Sequence, residues 1–246
     1  MDTRTNQTTR TRSGEGYSAT SNLANESVST QVFLQPIAAP SILGLFGFSG
    51  ATFMVAAHLA GWYGGSITEE LLAPFAATFG GLAQFVAGMW AYKARDGLAT
   101  AMHGMWGSFW IGFGVLQLLF ATGIVAASGS LDFPALGYWF IVLAAITLVG
   151  AVAALSETMG LFSVLSTLAV GSVILAVGFL VGSGTLSTVG GWVLILSAIL
   201  AFYTASALLL EEAFGQEVLP VGKAGKTDET SAVDRGAGEP GVKRGQ

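Results

Sequence analysis

Six long apolar runs alternate with short polar breaks along the 246-residue chain, at about 41–63, 71–92, 98–126, 135–155, 160–181 and 190–210. The breaks read GGSITEE, KARDG, SGSLDFP, SETMG and GSGTLSTVGG, each dense in turn formers or charge. A helix rising about 1.5 Å per residue crosses a hydrocarbon layer of about 30 Å in some 20 residues, which each run can supply. The break at Ser156, Glu157 and Thr158 is the weakest. A helix unbroken from 135 to 181 would be roughly 70 Å long, more than twice the layer's thickness, so the chain must fold back there. The pattern predicts an all-α bundle of six transmembrane spans over residues 37–222. Polar tails at 1–36 and 223–246 flank it, too poor in apolar residues to order themselves. The first tail lacks the continuous apolar stretch of a signal peptide.

Within the first run, APSILGLFGFSG sets Gly44, Gly47 and Gly50 three residues apart. Each interior glycine costs a helix about 1 kcal/mol relative to alanine, so the spacing needs a reward. At about 100° per residue the three share one sector with Ala57, His58 and Gly61, while Ser41, Phe48, Thr52 and Val55 occupy the adjoining one. In lipid, helices associate through close van der Waals packing, which small residues permit. The glycine sector is therefore expected to be a helix–helix seam, with the Phe48 sector facing something else. Span three aligns His103, Trp106, Trp110 and Gln117 on one side and places Gly104, Ser108 and Gly112 as a small-residue strip on another. A lined interior passage and a helix anchored by aromatics in its neighbours' grooves both satisfy that periodicity.

Charge sets the orientation. Arg4, Arg10 and Arg12 precede span one, Lys93 and Arg95 follow span two, and no further Lys or Arg occurs until Lys223. Glu69, Glu70 and Asp132 lie in the odd-numbered loops. By the excess of cations on cytoplasmic loops, both termini are expected in the cytoplasm of a multi-pass cell-membrane protein. Trp62, Tyr63, Tyr92, Tyr138, Trp139 and Trp192 fall near span ends, where aromatic anchors belong.

Missing chemistry narrows the function. No Lys, Arg, Asp or Glu sits near the middle of a span, where a charge costs at least about 2.5–3.5 kcal/mol and marks pumps and voltage sensors. A retinal-type Schiff base has no lysine to form on. His58 and His103 are the only span side chains able to titrate near neutrality. There are no cysteines, and no GxxxxGKS, HExxH or Ser-His-Asp arrangement occurs, so an enzyme is not expected, nor a cofactor, a metal or a nucleic-acid partner. A passive or weakly coupled passage for a small solute remains, as does a membrane scaffold.

APSILGLFGF, GGLAQFVAGMWAYK, GSFW and EEAFGQEVLPVG, in this order from about 39 to 222, resemble the acetate uptake transporter family, also called the succinate–acetate permeases. That family opens span one with Asn-Pro-Ala-Pro-Leu-Gly-Leu. Here Pro40, Leu43, Gly44 and Leu45 match it, whereas the asparagine and second proline are replaced. The resemblance implies a homo-hexamer whose protomers each carry a pore for acetate and related small carboxylates. It also implies a constriction at positions matching Phe48, Trp106 and Leu168. Tryptophan stands where the family has tyrosine. Gln84, His58 and Glu212 match family residues, while the family's glutamate before Tyr-Lys is Ala91 here. Thr52, Gln84, His103 and Gln117 are candidates to hydrogen-bond a carboxylate on either side of the neck, and each could equally serve as an interhelical bond. The expected function is carboxylate transport, with or without a link to protons, through a hydrophobically gated pore. An ammonia channel of the same fold and a non-transporting scaffold or sensor are the alternatives.

Overall fold

The computed structural model describes residues 37–65, 67–125 and 133–223. Six helices long and apolar enough to cross a membrane occur among them: α1 (Pro40–Leu59), α2 (Thr68–Ala94), α3 (Gly97–Ala121), α4 (Phe133–Ala154), α5 (Met159–Val181) and α6 (Gly184–Phe214). Of the expected tails at 1–36 and 223–246, only Lys223 is described, in a bridge to Thr158; the rest, together with Asp132, lies outside the described residues.

Local chemistry sets the helix ends. Pro40 opens α1, where its missing N–H costs nothing. The side chains of Asp96, Thr158 and Ser183 accept the backbone N–H three residues on at the starts of α3, α5 and α6. Thr158 is thus the residue that turns the chain back after α4, at the weakest of the predicted breaks. Gly182, with φ 65°, ends α5 in the left-handed conformation, and a single cap residue, Ser183, separates it from α6. The last polar break was expected to extend to residue 191. Its glycines and serines instead continue as helix, so α6 begins at Gly184. After α6, the chain strands back: Val221 and Gly222 accept the backbone N–H groups of Gly160 and Met159, and Tyr203 donates to the Pro220 carbonyl.

Span two is not uniform. Thr68–Phe75 and Gln84–Ala94 are α-helical, but Ala76–Ala83 winds as a wider π-helix. Pro74 explains the change, because it removes one backbone donor and its ring crowds the preceding turn. The Thr78 hydroxyl donates to the Pro74 carbonyl at 2.8 Å, as the local geometry widens.

The glycine sector of α1 packs against this wide turn. A Cβ on Gly47 would overlap the Phe79 backbone oxygen, and one on Gly50 would press on the Phe79 ring at 3.2 Å. A Cβ on Gly44 would collide with the His103 ring. On the other side of α1, Gly191 of α6 approaches the Ala56 carbonyl and the Ala60 amide equally closely. Buried serine hydroxyls tie the same layer together: Ser49 donates to the Ala198 carbonyl and Ser197 to that of Val164, both at 2.9 Å. Such interhelical bonds average about 0.6 kcal/mol in a bilayer, so close packing rather than polar bonding holds the bundle. Around α1, the helices run α3, α2, α1, α6, α5, α4, while α3 and α4 touch only sparsely.

The strip on α3 faces the other way. Gly104 and Gly112 have no neighbour within 4 Å of an added Cβ, and Ser108 is exposed with its hydroxyl bonded to the Gly104 carbonyl. The strip therefore is not a seam within one protomer, although Gly88 does approach the Gly104 amide from behind. Periodicity placed the small residues on one face correctly but could not say which side carries a neighbour.

Gly47→Ala is expected to destabilise the protein by about 1–3 kcal/mol, the usual cost of forcing extra volume into a packed seam. Gly97→Ala, where an added Cβ meets nothing, should leave stability unchanged or slightly raised. Thermal unfolding of both variants in detergent checks this, and equal melting would show that α1 and the wide turn of α2 are not in close contact.

Candidate functional site

A cavity of about 420 Å³ lies among all six helices, in the half of the bundle nearest the α1–α2 connection. Its walls are mostly apolar and aromatic. Thr52, Val55 and Leu59 of α1 face Trp106, Phe109 and Phe113 of α3 across it. Phe140, Leu168 and Leu194 supply the remaining sides from α4, α5 and α6. Lining residues on α1 begin at Thr52, and those on α3 and α5 begin at Trp106 and Leu168. Phe48 sits one helical turn before Thr52. These starting points define the cavity floor.

Phe48, Trp106 and Leu168 meet there. All three are at most 4 % exposed and belong to one hydrophobic cluster. The Phe48 and Trp106 rings pack edge to face with centroids 6.3 Å apart. The cluster is extended by Phe109, which touches both Trp106 and Trp110, and through Phe140 to Phe179. Sequence patterning and family resemblance had named the three floor residues from three different helices, and the fold brings them together.

Trp106 is held by a bond that the sequence did not announce. Its indole N–H donates to the Thr147 hydroxyl of α4 at 3.0 Å, and that hydroxyl donates to the Leu143 carbonyl at 2.7 Å. Thr147 is fully buried. This link crosses the sparse α3–α4 gap and fixes the indole plane. The one available signal was a lone threonine in an otherwise apolar span.

The polar candidates lie at different heights relative to the floor. Thr52 and Gln117 line the cavity. His103 lies against Gly44, one helical turn before Phe48, while Gln84 packs with its backbone N–H near Gly47, at the level of the floor. Thr52, Gln84 and His103 are each at most 5 % exposed. The Thr52 hydroxyl oxygen, the Gln84 side-chain oxygen and His103 Nδ1 have no hydrogen-bond partner, and neither has Trp110 Nε1, another cavity-lining group. An unpaired buried polar atom costs about 1–3 kcal/mol, so these groups are ones that a polar ligand could satisfy. Gln117 differs, since its amide donates to the Glu69 carboxylate at 2.8 Å. Glu69 had been read only as a marker of orientation. Of the signature residues, Gly44 and Leu45 are buried, Pro40 is partly so and Leu43 points outward.

The cavity, the spans and their packing define a multi-pass helical membrane protein. Residues 22–221 match the model of the GPR1/FUN34/yaaH family, and the chain belongs to that family. It is 27% identical over 188 residues to the succinate-acetate/proton symporter SatP of Escherichia coli K12, covering 76% of this chain and 97% of that one. It is also 28% identical over 171 residues to the ammonia transport outward protein 2 of Saccharomyces cerevisiae, covering 68% of this chain and 60% of the yeast protein. Among solved structures, that of the bacterial acetate channel SatP superposes with a TM-score of 0.70 at 27% identity, covering 76% of this chain and all of that one.

Thr147→Val keeps the shape of the side chain but strands the Trp106 N–H. It should lower stability by about 1–3 kcal/mol, the cost of an unsatisfied buried donor, whereas Thr147→Ser should stay much closer to the native protein. Matching melting temperatures for the valine and native proteins would show that the bond does not hold the indole.

Proposed function

We propose that this protein carries acetate and related short carboxylates across a membrane, with Phe48, Trp106 and Leu168 as the gate of the path. The observation that supports this reading most is the placement of unpaired buried polar atoms on both sides of an apolar neck. Thr52 and Trp110, which line the cavity, each carry a buried polar atom without a partner, and His103 carries one beyond the floor. A carboxylate could exchange part of its hydration for these groups before and after the neck. At the neck itself, no such exchange is available. An ion there meets a cost of the order that excludes charges from span centres, about 2.5–3.5 kcal/mol or more. A protonated, neutral acid escapes most of that cost, which links transport to protons without a buried carboxylate relay.

The same reading places Lys93 and Arg95 in the cytoplasm with both termini, and the cavity mouth near Glu69 on the outer side. Six protomers would assemble as the family resemblance implies. The outward strip of Gly104 and Ser108, beside the shallow groove lined by Phe85, Met89 and Tyr92, supports this as a surface on which a neighbouring helix could approach closely.

Two measurements test the proposal. Trp106→Ala should admit longer carboxylates, raising succinate or lactate flux relative to acetate severalfold in proteoliposomes, with folded protein counted separately by size exclusion. Unchanged substrate ratios in folded Trp106→Ala would remove the gate assignment, and ammonium outcompeting acetate in the native protein would turn the reading toward ammonia. For orientation, a cysteine placed at Lys93 should resist a membrane-impermeant maleimide in intact cells. Labelling from outside would reverse the topology.

A further inference from the structure

At the open end of the cavity, α1, the α1–α2 connection, α2 and α3 converge on one imidazole. His58 Nδ1 lies 3.1 Å from the Tyr63 backbone carbonyl. A carbonyl can only accept, so Nδ1 carries hydrogen and donates. In the neutral ring this leaves Nε2 as an acceptor. Yet Nε2 faces the Glu69 carboxylate, with Oε1 3.9 Å away, and a carboxylate is also only an acceptor. Two acceptors facing one another attract only when a proton lies between them. The second carboxylate oxygen of Glu69 is occupied by the Gln117 amide at 2.8 Å, which aims Oε1 at the imidazole.

Water reaches the pair, because the side chains of His58 and Glu69 are 22% and 43% exposed. Both residues, with Gln117, line the cavity that ends at Trp106 and Leu168. Few other charges act on them. Tyr63 faces the imidazole, but its hydroxyl donates to the Met54 carbonyl at 2.6 Å and partial burial raises its pKa, so it remains neutral. Glu70 follows Glu69 in the same first turn of α2. Helices α3, α4 and α5 contain no Asp, Glu, Lys or Arg, and Glu211 and Glu212 lie at the far end of α6.

We propose that His58 and Glu69, oriented by Gln117, form a proton-loading site at the cavity mouth that protonates a carboxylate entering from the aqueous phase. This rests on the transport reading and names the group that supplies the proton. Loaded, the pair is neutral overall, as an imidazolium beside a carboxylate. An entering carboxylate takes the proton: the N–H bond at Nε2 breaks, an O–H bond forms on the substrate, and the imidazole returns to its neutral state. The pair then carries one negative charge, which disfavours a second anion until water supplies another proton. The neutral acid moves on into the apolar cavity.

Glu69→Gln separates this role from a structural one. The glutamine oxygen can still accept from Gln117 and its amide can donate to Nε2, so the contacts survive without the proton. Initial uptake of labelled acetate and of formate, a stronger acid, is measured into cells across external pH, at equal total concentration. In the native protein the two acids should share one pH profile, governed by the site. In Glu69→Gln and in His58→Asn, each profile should follow that acid's own protonation. Uptake at pH values where the acids are mainly anionic should fall about a hundredfold, at the low end of general-acid contributions. Glu69→Asp should retain part of it. Native profiles already displaced by the difference in acid strength, and unchanged in Glu69→Gln, would overturn the proposal while leaving transport intact. Absence of uptake of either acid by the native protein would overturn the transport reading and this site with it.

Discussion

Everything in the bundle depends on how closely α1 approaches the wide turn of α2. Lipid offers helices no hydrophobic drive to associate, so contact must come from packing at short range. With glycine at 47, the α1 backbone lies against the Phe79 carbonyl, a distance no larger residue permits. The same seam fixes the neighbours of the path. Gly44 makes room for the His103 ring, and Gly80 makes room for both Ala51 and the Trp110 ring. A helical glycine costs about 1 kcal/mol in propensity; Gly44 and Gly80 offset it by admitting the His103 and Trp110 rings, and Gly47 by admitting the Phe79 backbone. The reward for the glycine spacing is thus close packing at Gly47 and Gly50, and at Gly44 room for a polar ring beside α1.

Much of this was legible because a bilayer simplifies the code. Apolar runs, breaks and the Phe48 sector follow from length and from a period of 3.6, and α1 keeps that period. The Trp106 stripe is likewise regular through α3. Span two was harder, because Pro74 and the π-helix from Ala76 to Ala83 shift the phase of every later residue on that helix. Its contact with Gly47 could not be read from a wheel that assumes a constant turn. The strip of Gly104, Ser108 and Gly112 exposes a different limit, since periodicity reveals a face but not its occupant.

Thr147 and Glu69 escaped for chemical reasons. A threonine within a helix ordinarily bonds its own preceding turn, and Thr147 does so through Leu143. The remaining acceptor capacity of the same hydroxyl binds Trp106, which no local pattern reveals. Glu69 opens α2, where an acidic residue favours the positive end of the helix and so has an adequate local explanation. Its role at the mouth depends on His58 and Gln117, drawn from two other helices. Pairings across helices are tertiary information.

The resemblance implies a tyrosine where Trp106 stands, and that replacement bears on where, on the proposed reading, a proton would join the substrate. A phenol at a neck could offer its hydroxyl to a passing carboxylate. Trp106 has one polar hydrogen, and Thr147 already takes it. The floor formed with Phe48 and Leu168 therefore presents no donor to the path. The nearest unpaired polar groups on the cavity side belong to Thr52 and Trp110, and the one beyond the floor belongs to His103. An anion would have to cross the interval between them with neither water nor protein bonding its charge. On the proposed reading, the lower-energy order for a substrate entering through the cavity is protonation first and passage second, with proton transfer on the cavity side of the floor. On that side, among the described residues lining the cavity, the ionisable side chains are His58 and Glu69.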